Sequence, residues 1–171
     1  LAMVSYYDHE RGVVPRPTIV HDKQGVNDPH DNPSIAIDDQ GYIWVFVSGR
    51  AKARPGWKFR STKPYSVAQF EFIRQDEMTY PEPRHIPGFG FFNLFTKYTN
   101  GRELYWETST YGTNWSAHQK LAGIGGHYQV SNVRADGMIG SFFNRHPGGN
   151  VDKRTDLYYV QTTNYGVTWT T

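Results

Sequence analysis

Cysteine is absent from the 171 residues of the chain, which excludes both a disulfide scaffold and a thiolate site. No apolar run approaches the roughly 20 residues that a membrane-spanning helix needs. The N-terminus also lacks the basic and then apolar order of a signal peptide. Neither sign of charge predominates, with 18 basic and 16 acidic residues, and no stripe of Lys and Arg stands out. Nucleic acid is therefore not an expected partner.

Leucine is scarce, whereas the residues that favour strands are abundant. The chain has 12 Tyr, 10 Phe and 5 Trp but only five Leu. Gly and Pro interrupt the chain every few residues, and no convincing helical period extends beyond two turns. Aromatic and β-branched residues pack well on a pleated surface. The composition therefore predicts an all-β fold.

Three segments share one order: a strand, a Gly turn, a more apolar strand, a gap and a third strand. Equivalent points recur about every 48 residues, which is within the range of propeller repeats. The first strands start at His30, Tyr80 and Tyr128, and the second strands end at Arg50, Lys97 or Tyr98, and Arg145. Four-stranded units in radial repetition are the blades of a β-propeller, and a plain sandwich is the alternative.

The repeat predicts one partial propeller domain over residues 1–171. Its blades lie at about 30–73, about 79–122 and about 127–171, the last incomplete. The runs "YIWVFV", "FFNLF" and "MIGSFF" are expected to be the more buried second strands. Because a propeller must close to hide its strand edges, we expect the remaining blades from a longer parent chain or from another chain.

The turns after two third strands share a frame. The segments "TSTYGTNW" (108–115) and "TTNYGVTW" (162–169) both place Tyr-Gly three residues before Trp. The Gly permits the positive φ of a tight turn. The frame resembles the Asp-box of bacterial neuraminidase repeats, Ser-x-Asp-x-Gly-x-Thr-Trp, with Thr110 and Asn164 at the Asp position. The resemblance implies a structural role for these turns and no chemistry.

The wider sequence extends this resemblance. The segments "DPHDNPSIAIDDQGYIWVFVSGR", "FFNLFTKYTNGRELYWETS" and "GGHYQV…FFNRHPGG" are similar to the BNR-repeat, sialidase-like, seven-bladed propellers that act on polysaccharides. That family includes ulvan and rhamnosyl-glucuronate lyases and a related rhamnosidase family. The resemblance implies an oligo- or polysaccharide substrate and a secreted, periplasmic or cell-surface location.

Two departures from the family pattern affect the expected activity. True sialidases carry Arg-Ile-Pro at the start of this first strand, where the Arg binds the sialic acid carboxylate. This chain has Asp31, Asn32 and Pro33 there, and an acidic residue would repel that substrate. In the family's lyases a second His stands at the place of Arg50. This chain therefore lacks one of the histidines that the resemblance implies for elimination.

Propeller geometry predicts where the polar residues meet. The starts of first strands and the ends of second strands should gather around one axis. Imidazoles shuttle protons near neutral pH, Arg binds carboxylates bidentately, and a phenol beside such cations can act as acid or base. We predict His30, Tyr128, Arg145 and His21 as catalytic and Arg50, Tyr80, Lys97, His127 and His146 as substrate-binding residues. Ordinary roles are the alternative: His30 capping a strand, Arg50 on the surface, His146 shaping the loop at Pro147.

These residues favour an enzyme that cleaves an acidic, uronate-containing linkage, such as rhamnose–glucuronate, by His-assisted hydrolysis. The alternatives are a polysaccharide lyase that works by β-elimination and a non-catalytic propeller that binds glycans. The paired carboxylates of ordinary glycosidases have little support, because only Glu82 among the blade-two glutamates falls near the predicted site. No cofactor is expected. No metal ligand is assigned, because no sequence-local spacing supports zinc, but a metal stays open since His30, His127 and His146 could meet in space.

Overall fold

The computed structural model describes residues 1–171 and divides them into two compact units, Leu1–Pro81 and Glu82–Thr171. Thirteen strands and one 3₁₀ turn, η1, make up the regular structure. In chain order they are β1 (Ala2–Val4), β2 (Thr18–His21), β3 (Pro33–Ile37), β4 (Ile43–Val47), β5 (Gly56–Ser61), β6 (Phe70–Asp76), β7 (Thr79–Ile86), β8 (Gly90–Tyr98), β9 (Arg102–Ser109), β10 (Gln119–Ala122), β11 (Gln129–Val133), β12 (Ile139–Arg145), η1 (Pro147–Gly149) and β13 (Thr155–Thr162).

The strands form sheets whose spatial order follows the sequence. Strands β3 to β6 make one four-stranded sheet, β7 to β10 a second, and β11 to β13 a three-stranded sheet, while β1 pairs with β2. The pairing is antiparallel, as in β3–β4, β8–β9 and β11–β12. The prediction of an all-β fold built from four-stranded antiparallel sheets is confirmed. Helices with the length and apolar composition needed to cross a bilayer do not occur.

The second strand of each three- or four-stranded sheet has more buried residues than any other strand of that sheet. All five residues of β4 are buried, whereas β3 alternates between exposed and half-buried positions. The first seven residues of β8 are buried, and β12 buries alternate residues from Ile139 to Phe143. A strand covered on both faces reads as a continuous apolar run, which is why "YIWVFV" and "FFNLF" could be recognised. The three runs lie in three separate sheets.

Each unit has its own apolar core. In Leu1–Pro81, Ala2 and Val4 of β1 pack with Val45, Val47 and Phe59. In Glu82–Thr171 the core joins the second sheet to the third; its buried members are Ile86, Phe92, Leu94, Leu104, Ile139 and Phe143.

The two Asp-box-like turns have the expected backbone. Gly112 and Gly166 adopt φ of 75° and 89°. Asn164 takes the place of the Asp: its Oδ1 accepts the Thr168 backbone N–H at 2.9 Å, and its Nδ2 donates to the Thr168 hydroxyl at 2.9 Å. Trp169 then packs on the core that contains Phe92.

A further turn with a left-handed residue follows β5, although its sequence has no glycine there. Tyr65 lies four residues after Ser61, the same interval that separates Thr162 from Gly166, and its φ is 52°. Its backbone N–H donates to the Gly41 carbonyl at 2.7 Å. Its ring covers Gly41 so closely that a Cβ on that glycine would lie 2.4 Å from a ring carbon.

Candidate functional site

Polar residues gather at two places, one in each unit. The first cluster contains Asp28, His30, Arg50, Arg54 and Tyr80 and belongs to Leu1–Pro81. The second cluster contains Arg102, His127, Tyr128, His146 and Arg154 and belongs to Glu82–Thr171.

Asp28 organises the first cluster. Its Oδ1 accepts the His30 backbone N–H at 3.0 Å and faces His30 Nδ1 at 2.6 Å, while its Oδ2 accepts from Arg54 at 2.7 Å. The hydrogen bond from Arg54, helped by those from His30, holds the pKa of the Asp28 carboxyl well below its usual range. The carboxylate is therefore ionised and can only accept hydrogen bonds.

The ionised carboxylate fixes the tautomer of His30. Because Asp28 accepts, Nδ1 of His30 must carry the proton, which leaves the lone pair of the neutral ring on Nε2. The His30 side chain is 43% exposed, so solvent and ligands can reach it. A carboxylate that orients an imidazole in this way is a common arrangement for a general base.

Arg50 and Tyr80 complete the first cluster. Arg50 Nη1 lies 3.4 Å from Asp28 Oδ2, close enough for an ion pair but without good hydrogen-bond geometry. The Tyr80 ring centroid lies 6.3 Å from that of His30. Tyr80 has φ of 50°, and its N–H donates to the Ser48 hydroxyl at 3.0 Å. A non-glycine residue in this region of φ carries local strain that the surrounding structure must hold.

Asp31 does not present free negative charge. Its side chain is buried beside two cations: Arg54 at 3.1 Å from Oδ1 and Lys23 at 3.6 Å from Oδ2. Lys23 also donates to the Asp31 backbone carbonyl. The repulsion of an acidic substrate that the sequence suggested at Asp31 is therefore largely offset within the cluster.

His21 packs on aromatic rings. Its ring lies 4.4 Å from Trp57 and 5.4 Å from Phe59. Burial, and then the charge of Lys23, lower the pKa of the His21 imidazole. These contacts place His21 against two aromatic rings of β5, and its catalytic role stays a prediction.

Tyr128 is the centre of the second cluster. The guanidinium carbons of Arg102 and Arg154 each lie 5.2 Å from the Tyr128 ring centroid. The His146 ring meets the Tyr128 ring at 4.9 Å, edge to face. Two guanidinium groups beside one phenol create a compact positive region, the kind of surface that binds carboxylates.

Local backbone pairing brings these residues together. Tyr128 precedes β11, and its N–H donates to Asn144 Oδ1 at 3.1 Å. His146 follows β12, and its N–H donates to the Gly126 carbonyl at 2.9 Å. Gly126 has φ of 118°, and a Cβ there would lie 3.2 Å from His146 Cβ, so a glycine lets the two segments approach.

His127 is a buried structural histidine. It is fully inaccessible to solvent, with Nδ1 3.3 Å from the Arg102 carbonyl oxygen and Nε2 3.3 Å from the Thr96 hydroxyl. Because a carbonyl only accepts, Nδ1 carries the proton. Burial lowers the pKa of His127 to about 4, against the opposing bond to Arg102. The substrate-binding role of His127 stays a prediction, and because the side chain is buried it would act through Arg102 rather than by contact.

Lys97 and Arg145 have other surroundings. Lys97 Nζ lies 3.3 Å from His118 Nδ1 and 5.6 Å from the Tyr105 ring centroid. Arg145 is exposed at the end of β12, opposite Thr155 and beside a register shift after Asn144. The proposed catalytic role of Arg145 stays a prediction, while Arg102 and Arg154 flank the tyrosine.

Four members of the clusters were not predicted: Asp28, Arg54, Arg102 and Arg154. Arg102 begins β9 directly after Gly101, whose φ is 86°, and Arg154 lies just before β13. Both sit next to hairpin turns, where an isolated Arg has no distinguishing pattern. The Asp-Pro-His spacing of Asp28 and His30 was the one available signal.

Comparison with known proteins places the chain in a class. The model of a family described as BNR repeat-containing matches residues 2–171. No curated protein sequence matches. A solved ulvan lyase of polysaccharide lyase family PL25 superposes with a TM-score of 0.77 at 18% identity, over 98% of this chain and 48% of that chain. The same lyase type bound to -[GlcA(1-4)Rha3S]- gives 0.76 at 17% identity, again over 98% and 48%.

Fold and sequence together define a β-propeller type of protein with repeated four-stranded blades. The chain belongs to the BNR repeat-containing family. It spans about half the length of the solved lyases that it resembles. The resemblance to BNR-repeat propellers similar to ulvan lyases is confirmed.

Proposed function

We propose that this chain carries residues of a polysaccharide lyase that cleaves uronate-containing glycans by β-elimination. The observation that carries the proposal is Tyr128 between the guanidinium groups of Arg102 and Arg154. The fold shared with ulvan lyases supports it. The comparisons favour elimination over hydrolysis, the activity first expected from the sequence.

The chemistry of elimination explains why these residue types would serve. A base removes the proton at C5 of the uronate, the C5–H electrons form a C4=C5 double bond, and the C4–O bond breaks. The leaving oxygen takes up a proton. Negative charge builds on the uronate carboxylate during the first step, so a positive region that binds it lowers the barrier. Arg102 and Arg154 would supply that region, and the Tyr128 hydroxyl would transfer a proton.

The first cluster, in Leu1–Pro81, offers a proton-transfer group of its own. His30, oriented by Asp28, presents Nε2 as an acceptor, and Arg50 adds a cation beside it. Asp28 itself is a poor general acid, because Arg54 keeps its pKa low. The raised-pKa carboxylic acid of a glycosidase is therefore a weak explanation for this cluster.

The activity can be tested with ulvan and other uronate polysaccharides, followed by ultraviolet absorbance and by reducing ends. Elimination raises both signals, because the C4=C5 bond conjugates with the carboxylate. Hydrolysis raises reducing ends alone. Binding in affinity electrophoresis with neither signal would identify a non-catalytic glycan-binding protein and overturn the proposal.

Variants test the roles of the proton-transfer residues. Tyr128→Phe keeps the ring between the two cations and removes only the hydroxyl, so kcat should fall by about 10²–10⁴. Tyr111→Phe is the matched control, because Tyr111 is 78% exposed. His30→Ala should lose at least about a hundredfold while sugar binding persists; His9→Ala, at an exposed site, is its control. Normal turnover by either active-site variant would refute its role.

A pair of arginine variants separates two versions of the carboxylate site. Arg154→Ala should weaken binding of acidic oligosaccharides more than neutral ones, because its guanidinium lies over Tyr128. Arg145→Ala tests the position expected from the sequence. A selective loss in Arg145→Ala alone would place the carboxylate at the end of β12 instead.

A further inference from the structure

His146 lies in the second cluster with an unusual set of contacts. Its side chain is 1% exposed, and its ring meets Tyr128 edge to face. Arg102 Nη2 lies 2.8 Å from His146 Nδ1. No hydrogen-bond partner reaches the buried Nε2. A histidine needed only for packing would not require a cation at hydrogen-bond distance from a ring nitrogen.

The protonation state follows from the donor. A guanidinium donates hydrogen bonds and cannot accept them, so the nitrogen it faces must hold a lone pair. Nδ1 of His146 is therefore unprotonated, and the ring is neutral with its proton on Nε2. Protonating Nδ1 would turn the acceptor into a donor and place a further positive charge in the cluster.

The two guanidinium groups near the ring oppose that added charge. Arg102 faces the ring from β9, Arg154 from the loop before β13, and Tyr128 and His127 from the segment before β11. Burial, followed by the charges of Arg102 and Arg154, lowers the pKa of His146. The neutral form is thus maintained to lower pH than in a free histidine, and it fails in acid.

We propose that His146 is a positioning residue, which in its neutral form accepts a hydrogen bond from Arg102 and so holds that guanidinium against the Tyr128 ring. This role rests on the proposed lyase function. It implies that uronate recognition depends on an imidazole that does not touch the substrate. Acid would protonate Nδ1 and release Arg102 from the ring.

Two substitutions at one position test the acceptor. His146→Asn keeps an acceptor, since the Asn Oδ1 can occupy the place of Nδ1, whereas His146→Leu fills space without one. His146→Leu should lose about tenfold to a hundredfold in kcat/KM, as expected for a misplaced catalytic group. The kcat/KM of His146→Asn should stay close to wild type at neutral pH. Its affinity for a uronate oligosaccharide should no longer show the decrease in acid that protonation of His146 causes in wild type. Ile139→Val, a buried change at the start of β12, controls for loss of stability.

A measurement without substrate separates this inference from the lyase proposal. Ring-nitrogen NMR shifts of His146 should report the Nε2–H tautomer with a hydrogen-bonded Nδ1, and Arg102→Met should remove the hydrogen-bond shift at Nδ1. If the tautomer is as expected but no polysaccharide is eliminated, the lyase proposal fails alone. If Nδ1 carries the proton, or if His146→Leu matches wild type in kcat/KM, the positioning role is wrong. Equal losses in His146→Asn and His146→Leu would also overturn it.

Discussion

The buried His127 makes a quantitative prediction about stability and pH. Its pKa lies near 4 in the folded protein and near 6.5 for an ordinary histidine. Between these values the unfolded chain binds a proton that the folded chain does not. The contribution of His127 to the free energy of unfolding is therefore fully present above about pH 6.5, and it decreases as the pH drops towards 4. The pKa difference corresponds to about 3 kcal/mol in total, of which about 2 kcal/mol is lost between about pH 7 and pH 5.

The variant His127→Asn removes the titrating group. The Asn side-chain amide can still donate to the Arg102 carbonyl, so the variant keeps one of the two contacts of the imidazole. Urea unfolding followed by tryptophan fluorescence gives the free energy of unfolding at each pH. The variant should have a lower free energy of unfolding than wild type at neutral pH. Between about pH 7 and pH 5, however, its free energy of unfolding should decrease by about 2 kcal/mol less than that of wild type.

Other histidines contribute equally to both proteins, so the comparison isolates position 127. His21 also has a lowered pKa, and its effect cancels between wild type and variant because it lies in the first unit. His9→Asn, at an exposed site, should follow the wild-type curve. Parallel curves for wild type and His127→Asn would refute the assignment of a neutral, buried imidazole.

Two further predictions concern stability. Gly166→Ala should lower the free energy of unfolding clearly more than Gly88→Ala. Both glycines have positive φ, but a Cβ at Gly166 would lie 2.5 Å from the Trp106 ring, whereas a Cβ at Gly88 would have no atom within 4 Å. Thermal unfolding should show about 1 kcal/mol for Gly88→Ala, and equal losses would contradict the steric account. Glu82→Ala should lower the free energy of unfolding in urea by about 1–3 kcal/mol, because the carboxylate accepts both the N–H and the hydroxyl of Ser131 and Ala offers no acceptor. A double-mutant cycle with Ser131→Ala that shows no coupling would oppose that assignment.

The sequence predicted the sheets well because their signals are local. Apolar runs mark the strands covered on both faces, and Gly112 and Gly166 mark tight turns. These features need only neighbouring residues to be recognised. The order of strands within each sheet then followed from short connections.

The candidate site was predicted only in part, for a physical reason. His30 and Tyr128 stand at strand starts, a position that recurs with the repeat. Arg102 and Arg154 do not occupy positions that recur with the repeat. They reach Tyr128 only because β9, β12 and β13 pair with their neighbouring strands. Partners drawn from separate strands leave no pattern along the chain, and so they required coordinates.

The left-handed Tyr65 has a consequence for how such repeats are counted. Two turns of this class carry glycine at the critical position, and one carries a tyrosine whose ring lies over Gly41. A side chain can replace glycine there when it finds a surface that offsets the strain of its own backbone. A sequence search for glycine at this position finds the turns at Gly112 and Gly166 but not the left-handed turn at Tyr65. The backbone dihedral angle shows the turn at Tyr65 that such a search misses.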